Sequence, residues 1–327
     1  MENQINYLQK YSLADIFDKT IKMMKHTWKD SLFLSAIGFI PYAIALGVAM
    51  FFYIDALIKI LTSREFMSQG GANFQWQALT PLFISLGLIF LAVIVYSIAA
   101  ILISGYLSLK TYKKAHGQEV SLKENLLYIL KNKFGKLILL ELLFMAIFIG
   151  LYLAFFIAIF ILALVSLVIM QSNSLYLAFV ILLTIILFAV SIWLSIALSF
   201  ATQALVIDDT KVTQALVKSF NLVKGNWWRV LGYNLLLGIV ISFGISLVTS
   251  PVLIAFLLPI YIRIFESMMQ KGTFDFDMAS IMEALRMIYL PLTIISFLQA
   301  IGYMLITPVF KTLFYIDLKF RKGELNS

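Results

Sequence analysis

The chain has 327 residues, of which 62% are hydrophobic and only 13% charged. An ordinary soluble domain is about 45–50% apolar and about 25% charged, so one aqueous core cannot hide the excess and the chain belongs in a lipid bilayer. This excludes a soluble enzyme, a disordered tail and a DNA-binding module, and the net charge of +8 reads as orienting loop charge with no nucleic-acid partner.

Residues 1–30 carry five lysines and four acids without the short apolar region and cleavage site of a signal peptide, so the N-terminus is expected to be retained. Within them, residues 12–29 predict an amphipathic helix. It opens on the capping box Ser12-x-x-Asp15, and Leu13, Ile16, Phe17, Ile21, Met24 and Trp28 share one face opposite the charges. Asp15 with Lys19 and Asp18 with Lys22 are pairs four residues apart, each worth about 0.2–0.5 kcal/mol.

About 20 consecutive apolar residues cross the hydrocarbon core. The first such span runs from Ser31 to about Ile54, and the second from about Leu79 to Leu109. No charge occurs between Leu142 and Ile207, a stretch that the polar cluster Gln171-Ser172-Asn173-Ser174 divides into spans at about Leu137–Met170 and Leu175–Ile207. The fifth span occupies about Val230–Ile262 and the sixth about Met287–Phe310. A β-barrel is disfavoured, since its strands alternate apolar and polar residues. Of the 25 basic residues, 20 fall in residues 1–30, 110–136, 211–229 and 311–327, which places both termini in the cytoplasm. The outer connections, 55–78 and 263–286, are expected to hold short surface helices.

The lead-in segment recurs. Residues 16–29 align without gaps on 215–228, pairing Lys19 with Lys218, Thr20 with Ser219, Lys25 with Lys224 and Trp28 with Trp227. A weaker copy at 121–134 places Lys131 and Phe134 in the corresponding positions and has its own capping box, Ser121-x-x-Glu124. In the third copy Asp209 and Thr210 are the candidate caps. The predicted fold is therefore an all-α polytopic membrane protein. Its six transmembrane helices form three parallel repeats, about 12–114, 121–208 and 210–322, each led by an amphipathic interfacial helix.

That apolar stripe can pack on the protein's own helices, meet lipid or dock a partner. On the lipid reading, Lys25, Trp28, Lys131, Phe134, Lys224, Trp227, Trp228 and Arg229 are the candidate interfacial contacts, with indole at the interface and cations on lipid phosphate.

The segments SLADIFDKTIKMMKHTWK at 12–29, ALVKSFNLVKGNWWRV at 215–230 and YIDLKFRKGE at 315–324 resemble bacterial membrane proteins related to the glycerophosphoryl diester phosphodiesterase membrane domain. The resemblance covers the whole chain at the level of repeat layout. It implies an anchor or accessory role in the cytoplasmic membrane. The soluble phosphodiesterase barrel of that family has no counterpart among the segments outside the spans.

Groups suited to chemistry are few. There is no cysteine, and His26 and His116 lack metal-spaced partners, so no metal or cofactor is expected. Asp208-Asp209 and Asp275 with Asp277 read as solvated turns. Glu141 is the charge nearest to membrane depth, and is expected to pair with Lys136 or reach headgroups. Gln203, Asn234 and Gln299 read as interhelical hydrogen-bonding residues. Pro41, Pro251, Pro259, Pro291 and Pro308 allow kinks, and Ala43-x-x-x-Gly47 and Ala45-x-x-x-Ala49 allow close helix approach. The leading functional expectation is a non-catalytic scaffold or accessory subunit that touches membrane lipid and another membrane protein. The alternative is a transporter or flippase for a lipid or small amphiphile.

Overall fold

A computed structural model describes residues 11–62, 79–119, 121–168, 173–271 and 278–324. Among these residues there is no strand. The helices are α1 (Leu13–Thr62), α2 (Thr80–Ala115), α3 (Leu122–Tyr128), a π-helical turn (Ile129–Lys133), α4 (Phe134–Val168), α5 (Asn173–Ala197), α6 (Ala201–Ile207), α7 (Val212–Val223), α8 (Trp227–Lys271) and α9 (Met278–Arg321). Six helical stretches are long and apolar enough to cross a membrane, and the chain is a multi-pass integral membrane protein.

Local sequence decides where the lead-in segments break. Ser12 and Asp15 form the expected capping box, the Ser12 N–H donating to Asp15 at 3.0 Å and the Asp15 N–H to Ser12 at 3.2 Å. From there α1 continues without interruption into the first span. Residues 13–40 contain no proline and a single glycine, Gly38, and Pro41 is accommodated inside the helix. In the third segment Gly225, which stands where the first has His26, adopts φ +85° and ends α7 as a left-handed C-cap. The span then restarts at Trp227. In the second segment Ser121 caps α3 through the Glu124 N–H at 3.2 Å, and the π-helical turn joins it to the span. The cap of α7 differs from expectation. Lys211 donates its N–H to the Gln214 side chain at 3.3 Å, leaving Asp209 and Thr210 outside the helix.

The outer connections also differ. Residues 55–62 and 263–271 continue α1 and α8 as uninterrupted helix, and α9 begins at Met278. Residues 63–78 and 272–277, which include Asp275 and Asp277, lie outside the described residues.

The chain divides into two compact units. The first comprises residues 1–27, 104–236 and 308–327. Its core gathers Tyr106, Leu107, Phe200, Ala204, Phe310 and Phe314, all fully buried, with Phe314 edge-on to Phe200 at 5.4 Å and stacked on Tyr233 at 4.6 Å. In contrast, the apolar windows of its α4 and α5 bury none of their residues inside the protein. Ile149, Phe156, Phe160, Ile185 and Phe188 stay exposed, a surface suited to hydrocarbon.

Buried and half-buried ion pairs hold this unit at the span ends. Asp317, fully buried, accepts the Tyr11 N–H at 2.7 Å and lies 3.1 Å from Arg229 and 3.0 Å from Arg321. Both guanidinium groups also donate to the Tyr11 carbonyl. Asp208 is not the solvated turn expected from sequence. It pairs with Lys218 at 2.6 Å and Lys319 at 2.8 Å and accepts from the Tyr315 hydroxyl. Burial pushes its carboxyl up, but the hydrogen bonds from Lys218, Lys319 and Tyr315 outweigh burial and hold it below the ordinary aspartate value. Asp209 takes buried Lys133, together with Lys136 at 3.1 Å. Lys136 is thus committed to Asp209, and the expected pair with Glu141 does not form. Glu141 is half-buried in α4.

The second unit comprises residues 28–103 and 237–307. Small residues let its helices approach, as the sequence predicted for α1. A Cβ on Gly47 would stand 3.4 Å from Thr293, one on Gly38 would stand 3.0 Å from Ile103, and one on Gly302 would stand 3.0 Å from Ile245.

Candidate functional site

The second unit contains a cleft of about 460 Å³ lined from four helices, within the roughly 300–1,000 Å³ range of ligand sites. Tyr42 comes from α1 and Tyr96 from α2. Helix α8 supplies Ser242, Ser246 and Thr249, and α9 supplies Ser296, Gln299 and Tyr303. None of the lining residues is charged.

Helical periodicity aligns these groups. Ser242, Ser246 and Thr249 are spaced by four and three residues, and Ser296, Gln299 and Tyr303 by three and four, so each set forms a stripe on one face. Their depth follows from position along the spans. Tyr42 lies at the midpoint of 31–54, Ser246 at that of 230–262, Gln299 at that of 287–310, and Tyr96 within two residues of that of 79–109. At about 1.5 Å of rise per residue, all four fall within roughly 3 Å of mid-span.

Aromatic packing builds one wall. Phe39 stacks on Tyr96 at 5.2 Å, and Tyr42 meets Tyr96 at 5.2 Å, a geometry that fixes both phenols. The Ser296 hydroxyl lies within hydrogen-bonding reach of the Tyr42 phenol. On the other wall, Ser246 donates to the Phe243 carbonyl at 2.8 Å and Thr249 to the Ile245 carbonyl at 3.1 Å. Their oxygens therefore remain as acceptors, while the phenols and the Gln299 amide offer donors. Ser242, Ser246, Gln299 and Tyr303 are exposed, so the cleft is open on the α8–α9 side. A cleft of this kind can hold a neutral polar group by several hydrogen bonds at once. It offers an ion no counter-charge in exchange for its hydration shell.

The three polar residues singled out from the sequence have different roles. Gln299 lines the cleft, Gln203 donates to Ser108 on α2 at 3.2 Å as an interhelical bond, and Asn234 donates to the Val230 carbonyl of its own helix at 2.9 Å. The remaining cleft residues were not anticipated, although the two stripes of small polar residues could have identified them.

The candidate interfacial residues lie elsewhere. Lys25, Trp28, Lys131, Phe134, Lys224 and Trp228 are exposed, and Trp228 reaches 78% exposure. Trp227 is partly buried and packs edge-on against Trp228 at 4.8 Å. Arg229 is drawn inward to Asp317 and lies 4.6 Å from the Tyr233 ring. His26 and His116 are exposed. Among the described residues, no three His, Cys, Asp or Glu side chains group as metal ligands.

No curated protein and no solved structure matches the chain significantly. A family model described as Domain of unknown function (DUF7847) matches residues 34–316, from within the first membrane-crossing helix to within the sixth, and the chain belongs to that family.

Proposed function

We propose that this membrane protein binds the neutral polar part of an amphiphile in the mid-span cleft and lets it pass between leaflets, without catalysis. The observation that carries this reading is the position of the cleft. Seven hydroxyls and an amide converge at the depth where polar groups are most costly to leave in hydrocarbon, on a side open to that medium. A lipid headgroup crossing the bilayer meets its barrier at the same depth. The absence of charge from the lining fits an uncharged glycerol, sugar or ester group better than an ion.

The test is reconstitution into phosphatidylcholine liposomes carrying a fluorescent glycolipid, with reduction of the outer-leaflet dye by dithionite. The protein is expected to expose inner-leaflet dye faster than empty liposomes do. Replacing Ser246 and Gln299 by Leu is expected to return the rate to the empty-liposome value. Equal rates with and without the wild-type protein would remove the proposal, as would an unchanged rate in the doubly substituted protein.

A second reading, accessory subunit or scaffold, draws support from α4 and α5, whose span windows bury nothing within the chain. It agrees with the resemblance to the glycerophosphoryl diester phosphodiesterase membrane domain. It predicts a reproducible partner crosslinked through this hairpin in cells, and loss of that crosslink when Phe156 and Phe160 are replaced by Ala. On either reading, basic-residue bias supports an orientation with both termini in the cytoplasm, and the same resemblance supports a bacterial cytoplasmic membrane.

A further inference from the structure

A second cavity, of about 370 Å³, lies in the first unit where α5 ends, α7 turns and α8 begins. Its walls are aromatic. Trp193 of α5 meets Phe220 of α7 edge-on at 5.9 Å, and Trp227 lines the cavity with them, beside Ala197 and Val223. Lys224 and Gly225 form the rim. The left-handed turn at Gly225 brings Lys322 close, its ammonium donating to the Lys224 carbonyl at 2.7 Å and standing 4.0 Å from where a Cβ on Gly225 would be. Neither Lys224 nor Lys322 is ion-paired among the described residues. The neighbouring acids are taken, Asp317 by Arg229 and Arg321, and Glu324 by Lys218 at 3.3 Å.

We infer that this cavity binds one anionic membrane phospholipid, with its phosphate at Lys224 and Lys322 and its upper acyl chain against Trp193, Phe220 and Trp227. Charge and depth select that occupant. The cavity sits where a span ends and another begins, the level at which indole and phosphate coexist. Two ammonium groups without an ion-pair partner among the described residues, Lys224 in the lining and Lys322 beside it, favour a headgroup with net negative charge. They oppose the quaternary ammonium that an aromatic box alone would attract. The inference needs the membrane-spanning fold and is independent of the mid-span cleft.

The test uses the full chain with Trp28, Trp76 and Trp228 replaced by Phe, so that Trp193 and Trp227 are the only indoles. It is reconstituted in phosphatidylcholine bilayers containing the same mole fraction of either bromine-labelled phosphatidylglycerol or bromine-labelled phosphatidylcholine. Bromine quenches an adjacent indole. Phosphatidylglycerol is expected to quench more strongly, with an apparent preference that falls roughly fivefold for each lysine removed. Lys224→Glu with Lys322→Glu is expected to bring both lipids to the same quenching, whereas Lys123→Glu, at an exposed lysine of α3, leaves the preference intact. If the doubly reversed protein does not fold, the Lys224→Gln and Lys322→Gln pair provides the same reading. Equal quenching by the two lipids before any lysine is changed would overturn the inference, and so would a preference that survives loss of both lysines.

Discussion

Asp317 ties Tyr11, Arg229 and Arg321 together in the first unit, and Asp317→Ala tests the weight of that cluster directly. The carboxylate is 0% exposed and accepts from a backbone N–H and two guanidinium groups. Removing one partner of a buried ion pair costs about 3–5 kcal/mol, because the remaining charge has lost its compensation. Two features place this case at the lower end. Arg229 and Arg321 keep 25% and 29% side-chain exposure, so water screens part of the loss. Both also retain hydrogen bonds to the Tyr11 carbonyl, at 2.6 and 2.7 Å.

The expected loss is therefore about 3 kcal/mol, which at roughly 2–4 °C per kcal/mol lowers the apparent melting temperature by about 6–12 °C. Size-exclusion chromatography of detergent-solubilised protein after heating measures this shift. Asp317→Asn should fall between the two, since one amide oxygen can still accept from Tyr11 while its NH2 faces a cation. Asp18→Ala is the control. Its pair with Lys22 spans 2.6 Å but is 46% and 58% exposed, so the change should stay within about 0.5 kcal/mol. A fall of less than about 2 °C for Asp317→Ala, under 1 kcal/mol on the same scale, would refute the reasoning.

Two further outcomes follow from other parts of the fold. Gly302→Val puts a branched side chain where a Cβ alone would stand 3.0 Å from Ile245; a loss of about 1–3 kcal/mol is expected from overpacking, and trimming Ile245 to Ala in the same protein should recover part of it. The Asp208 carboxyl is held below its ordinary value of about 3.9, so its contribution is full above that value and is lost as pH falls through the lower, folded-state value. The gap in melting temperature between wild type and Asp208→Asn should then be constant well above the ordinary aspartate value and narrow as the pH falls below it; a gap independent of pH would contradict the ion-pair assignment.

The spans were legible because hydrocarbon thickness imposes a minimum apolar length, and neither Pro41 nor Pro251 ended a helix in that setting. Capping was legible where hydroxyl and acid stand three residues apart, as at Ser12 and Asp15. The ion pairs were not. Asp208 and Asp209 look alike in sequence, yet one is claimed by Lys319 from the far end of the chain and the other by Lys133 and Lys136. Those partners are fixed by tertiary packing. The cleft was hidden for a different reason. A lone serine or threonine in a span usually donates to its own helix, as Ser246 and Thr249 do, so each residue taken singly is unremarked. The signal lies in two stripes whose centres fall at the same depth.

The span ends and the middle treat polar groups in opposite ways. At the ends, charged side chains are matched within the fold. Asp208, Asp209 and Asp317 each have cations within 3.1 Å, and removing these pairs is expected to cost stability. At mid-span, Ser242 and Gln299 make no hydrogen bond among the described residues and remain exposed, although an unsatisfied polar group costs more in hydrocarbon than at the interface. Polarity that the fold does not satisfy at that depth has to be satisfied by something the cleft admits, water or the polar part of a ligand. Substituting cleft residues by apolar ones should therefore preserve or raise thermal stability while abolishing lipid movement, a separation that a purely structural role for Ser246 and Gln299 would not produce.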